Sequence, residues 1–141
     1  EDGKSILLGL LADTDVLVEN YRPGVMERFG LDYESLKERF PKLIYLSVSA
    51  YGQTGPMWDR PGFDPVLQAE SGMMSLTGEP DGEPMRHALS LVDTMTGIQA
   101  VAAICAALLA RANPAALTPS EPDCELPACI ENAPTDSELT R

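Results

Sequence analysis

Residues 15–49 read DVLVENYRPGVMERFGLDYESLKERFPKLIYLSVS. Two apolar runs, Asp15–Glu19 and Leu43–Ser49, are rich in β-branched and aromatic residues and predict short buried strands. Between them lie two helix signals. Pro23 suits the first turn of a helix over Pro23–Phe29, which Gly30 can end by taking positive φ. Asp32 is a good N-cap for Tyr33–Phe40, where Leu36 and Phe40 form an i,i+4 apolar face before Pro41 stops the helix. Upstream, Ile6, Leu7, Leu10 and Leu11 mark Ser5–Ala12 as the end of another helix. This helix–strand–helix–helix–strand order predicts an α/β fold. It implies part of an open, mainly parallel sheet with flanking helices.

Downstream, Ala50–Phe63 (AYGQTGPMWDRPGF) reads as a Gly/Pro-rich loop whose aromatics argue against disorder. Asp64–Leu76 reads as a helix with Pro65 in its first turn, and Thr77–Arg86 as a turn-rich connection. A long helix then starts at Ser90 or Asp93 and runs to about Arg111. From Ala112 the character changes. Residues 112–141 carry Pro114, Pro119, Pro122, Pro127 and Pro134, mostly acidic charge and no periodic apolar face, so a disordered tail is expected there. Two regions follow, 1–111 and 112–141.

The net charge of −12 disfavours nucleic acid and anionic membranes as partners, since both require clustered cations. The longest nearly apolar run, Ile98–Ala110, is interrupted by Gln99 and is too short to span a bilayer. Cys105 lies in that apolar helix and reads as an inert core thiol, while Cys124 and Cys129 read as reduced thiols of the tail. The odd cysteine count and the lack of a signal-like start point to a reducing compartment: the cytoplasm, or a mitochondrion or peroxisome in a eukaryote. No metal-ligand cluster stands out.

Four constellations could carry chemistry. Glu19-Asn20-Tyr21-Arg22-Pro23-Gly24, followed by Arg28, begins at the C-terminal end of a strand, where open α/β sheets bind ligands. Bare helix N–H groups and two arginines there suit an anion, though a capped turn with solvated arginines explains the same letters. Val92-Asp93-Thr94-Met95-Thr96-Gly97 places one carboxylate where a polar stretch switches into the long apolar helix. A helix N-terminus stabilises such a carboxylate as the anion, and capping alone would also account for it. Gly62-Phe63-Asp64-Pro65 lies thirty residues before Asp93. Tyr51-Gly52-Gln53-Thr54-Gly55 reads equally as a turn cluster or a substrate-side loop. His87, six residues before Asp93, reads as a surface or packing histidine. Met73, Met74 and Leu76 could line an apolar pocket, but core packing is the simpler role.

The stretch ENYRPGVMERFG at 19–30 together with VDTMTG at 92–97 resembles the family III CoA-transferases, the formyl-CoA, carnitine and bile-acid CoA-transferase group. The likeness covers about Asp13 to Arg111. It implies a Rossmann-like sheet and an interlocked homodimer. It also implies CoA and acyl-CoA as substrates, a carboxylic acid acceptor and no permanently bound cofactor. Asp93 takes the family's nucleophile position; Asn20, Tyr21, Arg22 and Arg28 fall at CoA contacts; Gly52, Gln53 and Phe63 fall beside the pantetheine and acyl group. The related α-methylacyl-CoA racemases carry a histidine where this chain has Phe63. Phenylalanine has no titratable proton, so a two-base racemisation lacks one partner. The family's first half-domain, its TGxGQ stretch and its Gly-rich oxyanion loop have no counterpart here, so an internal fragment is expected. A non-catalytic remnant is the alternative from another class.

Overall fold

A computed structural model describes residues 2–113. The 112–141 tail expectation, with Cys124 and Cys129, lies outside the described residues apart from the end of the last helix. Helix α1 spans Asp2–Leu11, strand β1 Val16–Glu19, α2 Val25–Phe29, α3 Tyr33–Leu36 and β2 Ile44–Ser47. Helix α4 spans Asp64–Glu70, a 3₁₀ turn follows at Met73–Leu76, and α5 covers Leu91–Ala112. Strands β1 and β2 pair in parallel, Val16 opposite Ile44 and Glu19 opposite Ser47. The intervening α2 and α3 supply the crossover that a parallel pair needs.

Local chemistry sets most of the boundaries. Gly30 ends α2 in the left-handed region at φ 58°, and its N–H bonds the carbonyls of Glu27 and Met26. Asp32 caps α3: its carboxylate accepts from the Ser35 N–H at 3.3 Å and the Ser35 hydroxyl at 2.5 Å. The serine hydroxyl is the main reason the Asp32 carboxyl lies below the usual range. Regular helix stops at Leu36, short of the expected Phe40, although the Phe40 N–H still reaches the Leu36 carbonyl at 2.8 Å. The helix expected over Asp64–Leu76 also breaks. Gly72 at φ 78° turns the chain out of α4, and Met73–Leu76 tightens into 3₁₀ geometry.

The core sits under the sheet's first crossover. Leu11, Leu31 and Leu36 are buried there, with Leu17, Met26, Phe40 and Tyr45 packed around them. Tyr45 meets Tyr33 edge-on, with ring centroids 6.3 Å apart. Burial, then the Glu19 and Asp32 charges, pushes its hydroxyl up to about 12. Leu76 is 88% exposed, so it belongs to no core, contrary to the packing role read from its sequence.

Helix α5 is longer than its uninterrupted apolar run. By length and composition alone its 22 residues could cross a membrane, which the 13-residue reading excluded. Its neighbours here are β2 and α4. None of its residues is buried, so Cys105 is exposed rather than a core thiol. Arg111 fixes the direction of α5. Its guanidinium donates to the Lys42 carbonyl at 2.6 Å and to Asp15 at 2.5 Å. Both acceptors precede their strands, so α5 runs antiparallel to the sheet. Its first turn, with Asp93, therefore lies at the strands' C-terminal ends, the ligand edge of an open α/β sheet.

Candidate active site

The strand ends make one wall. Glu19 closes β1 and is buried at 7% exposure. Its carboxylate accepts from the Tyr21 N–H at 2.9 Å and from the Ser47 hydroxyl at the end of β2. Asn20 donates to the Val48 carbonyl at 2.9 Å. These bonds tie the Asn20–Arg22 turn to both strands. A buried carboxylate is stable only when such donors meet its charge. Glu19 thus shapes the turn, a role its place inside an apolar run concealed.

The second wall is the end of the 50–63 loop and the start of α4. The loop is anchored from outside: the Tyr51 hydroxyl donates to Glu70 at 2.7 Å, and Arg60 pairs with Glu70 at 3.5 Å. Gly62 passes so close to Ala50 that an added Cβ would overlap its methyl group. Phe63 precedes α4 in extended backbone, is 70% exposed and lines the cleft.

The first turn of α5 is the third wall. Asp93 is the third residue of the helix, not its cap, and its side chain is exposed. Ser90, at the N-cap position, makes no side-chain cap bond. The capping group comes instead from α4, where Asp64 accepts the Asp93 N–H at 3.0 Å. Asp64 is buried, and Gln68 donates to its other oxygen. Burial works to raise the Asp64 carboxyl. The Asp93 N–H, the Gln68 amide and the Val92 N–H outweigh it and hold the carboxyl below the usual range.

The sign of that shift gives a pH prediction. The fold favours the Asp64 carboxylate, so its contribution is complete above the ordinary value of 3.8 and is lost as pH falls through the lower folded value. Asp64→Asn should therefore flatten the acid limb of stability below the ordinary carboxyl value of 3.8. Denaturant midpoints against pH measure it, and an acid limb as steep as that of the unsubstituted chain would remove Asp64 from the account.

The three walls enclose a cleft of about 300 Å³ lined by Asn20, Tyr21, Arg22, Arg60, Phe63, Asp64 and Asp93 among others. Four of the expected site residues besides Asp93 thus share one opening. Arg60 adds a second cation that motif reading passed over. An apolar extension of about 640 Å³ runs from Asp93 and Phe63 along the groove between β2 and α5. Gln53 lies elsewhere, bonded to the Ser47 and Ser49 hydroxyls at 2.7 and 3.3 Å, and faces a neighbouring hollow that also takes in Arg22. Gly52 borders a third, beside Thr96 and Gln99. Arg28 lines none of these, because α2 starts only at Val25 and carries Arg28 in its last turn. Five residues of helix also give little macrodipole to bind an anion. His87 lies outside the cleft; its Nδ1 accepts the Leu89 N–H at 3.2 Å, a local packing role.

The match to known proteins covers the same residues. CoA-transferase family III matches over residues 1–115. An acyl-CoA transferase of Fusarium pseudograminearum is 49% identical over 111 residues, which are 79% of this chain and 24% of that protein. The succinate–glutarate CoA-transferase of Agrobacterium fabrum is 46% identical over 108 residues, 77% of this chain and 27% of that one. A crystal structure of a CAIB/BAIF family protein from Brucella suis superposes with a TM-score of 0.78 at 43% identity, over 82% of this chain and 30% of its own. The chain thus spans about a quarter of the length of these curated relatives. With the family match running through both strands and the whole of α5, the chain belongs to CoA-transferase family III.

Proposed function

We propose that the cleft is the acyl-transfer half of a CoA-transferase site, with Asp93 as nucleophile and free carboxylic acids as acceptors. One observation carries the reading. Asp93 opens onto the same cleft as Asn20, Tyr21 and Arg22, at the sheet edge where α/β folds take their ligands. The relatives' names, an acyl-CoA transferase and a succinate–glutarate CoA-transferase among them, support the same class.

The chemistry balances without an outside reagent. A carboxylate is a weak nucleophile, but a thioester is an activated acyl donor. An Asp93 oxygen attacks the thioester carbonyl, the C–S bond breaks, and CoA leaves as thiolate. The thiolate then attacks the aspartyl carbonyl of the mixed anhydride and expels the first acid as its carboxylate, leaving an aspartyl–CoA thioester. The acceptor carboxylate attacks that thioester and expels thiolate again, forming a second anhydride. Thiolate attack on the acceptor's carbonyl gives the new acyl-CoA and returns the Asp93 carboxylate. Arg22 and Arg60 supply positive charge for CoA phosphates or substrate carboxylate. The groove between β2 and α5 offers apolar surface that keeps water from the anhydride. Phe63 lines the cleft and offers no second base for racemisation. An interlocked homodimer of the full-length protein belongs to the same proposal.

The test is CoA exchange by the protein at its full natural length. An acyl-CoA and a labelled free acid should yield labelled acyl-CoA. Hydrolysis alone, or α-deuterium uptake in D₂O without an acceptor, would reject the proposal. Arg22→Ala should weaken CoA binding by roughly three- to tenfold, the scale of one charge-assisted contact, and high salt should shrink the loss. Arg28→Ala, off the cleft, should change it little. Titration calorimetry with CoA at two ionic strengths checks both, and equal effects of the two substitutions would unseat Arg22.

A further inference from the structure

We propose that Asp64 and Gln68 are positioning residues that set the attack geometry of Asp93; the inference rests on Asp93 being the nucleophile. Gln68 is 1% exposed and Asp64 5%. Two further segments, 87–89 and the first turn of α5, converge on them. The Gln68 amide nitrogen donates to Asp64 and, at 3.3 Å, to the Leu89 carbonyl, while its oxygen accepts the His87 N–H at 2.9 Å. Both amide protons and the carbonyl oxygen are used, so the direction of the amide is fixed by its partners. Asp64 then passes that fixed position to the Asp93 main chain, 29 residues away, at 3.0 Å.

A helix end alone does not require this arrangement. Ser90 stands at the N-cap with a side chain able to cap locally, and it makes no cap bond. A buried carboxylate is costly unless donors meet its charge, and among the described residues no lysine or arginine pairs with Asp64. What the distant carboxylate adds is position. It locks the rotation and axial placement of the first turn of α5 against α4, whose start forms the cleft wall beside Phe63. A slip of one residue would turn Asp93 by about 100° around the helix axis and away from the cleft. Gln68 couples the same lock to the 87–89 segment leading into α5. The pair touches the backbone of Asp93 and not its carboxylate, so it acts on geometry rather than on CoA affinity.

Asparagine at position 64 has one acceptor oxygen where aspartate has two. It can satisfy the Asp93 N–H or the Gln68 amide, but not both. In the full-length protein, Asp64→Asn should lower kcat by about 10- to 100-fold, with the KM for acyl-CoA within about twofold, since misplacement of about 1 Å is felt on this scale. Adding Gln68→Glu reverses the donor and acceptor between the two side chains and leaves the Asp93 and His87 N–H groups with acceptors. It loses the 3.3 Å bond to Leu89 and sets a carboxylate oxygen against that carbonyl, so recovery is expected to be incomplete. The double variant should recover most of the lost kcat. Gln68→Met, which keeps the Asp64 side chain itself, should lower kcat by about fivefold and serves if Asp64→Asn does not fold. In each variant, amide exchange at Asp93 should quicken in proportion to the loss of kcat while the β1 and β2 amides stay protected. Unchanged kcat in folded Asp64→Asn or Gln68→Met, or no recovery in the double variant, would overturn the proposal and reduce the pair to a structural cap. Failure of the parent reading is separate: it appears as undiminished transfer in Asp93→Ala, whatever the exchange rates show.

Discussion

Asp93→Asn and Asp93→Ala are each expected to lower CoA transfer by roughly 10⁴-fold or more, the scale on which loss of a covalent nucleophile is felt. The asparagine variant is the sharper test. It keeps the side chain's size and the main-chain bond to Asp64, so α5 should stay in place. What it lacks is the anionic oxygen that attacks the thioester. Binding of acyl-CoA should therefore survive, with the loss falling on kcat. The carboxylate is exposed on the cleft and makes no hydrogen bond that the fold relies on, so neither variant should change the melting temperature appreciably. Quenching a running reaction with hydroxylamine should convert Asp93 of the unsubstituted protein to a hydroxamate, readable by mass spectrometry on the peptide that contains it. Transfer that persists in Asp93→Asn, or trapping at another residue, would reject the assignment.

Much of this site could be read from letters because its parts are local. Gly30 and Asp32 act through bonds no more than four residues long, and both behave as their types require. The strands were visible because β-branched apolar runs have few other uses. The motif around Asp93 was visible because sequence likeness carries information that periodicity does not. The supporting residues were hidden for physical reasons. Gln68 is the most deeply buried polar side chain described, yet glutamine in an amphipathic pattern reads as surface. Glu19 ends an apolar strand and looks like a solvent-facing acid, although its carboxylate is enclosed by bonds to Tyr21 and Ser47. The Asp64–Asp93 bond spans 29 residues and leaves no local trace. One clue was available: Asp64 and Gln68 stand four apart at a helix start marked by Pro65, which is the spacing of a side-chain pair. The exposure of Cys105 and Leu76 was hidden too, because an apolar residue in a helix says that burial is favourable but not which neighbour provides it.

Leu36→Ala is expected to cost about 2–5 kcal/mol, the range for emptying a buried leucine site. Leu36 is 2% exposed and forms the buried cluster with Leu11 and Leu31. It stands at the end of α3, whose N-cap Asp32 and preceding Gly30 hold the backbone on either side of Leu31. The backbone around the site is therefore poorly placed to collapse into the space, which puts the cost in the upper half of the range. A domain of this size has a total stability of roughly 5–15 kcal/mol, so about a quarter or more of it would go with one side chain. The matching control is Leu76→Ala. Leu76 is 88% exposed, and the same atoms removed there should change stability by less than about 0.5 kcal/mol. Urea unfolding of the two variants beside the unsubstituted chain gives the comparison, with slopes required to agree before midpoints are converted to free energies. A midpoint shift in Leu36→Ala no larger than that in Leu76→Ala would mean that the crossover between β1 and β2 is not where this chain keeps its core.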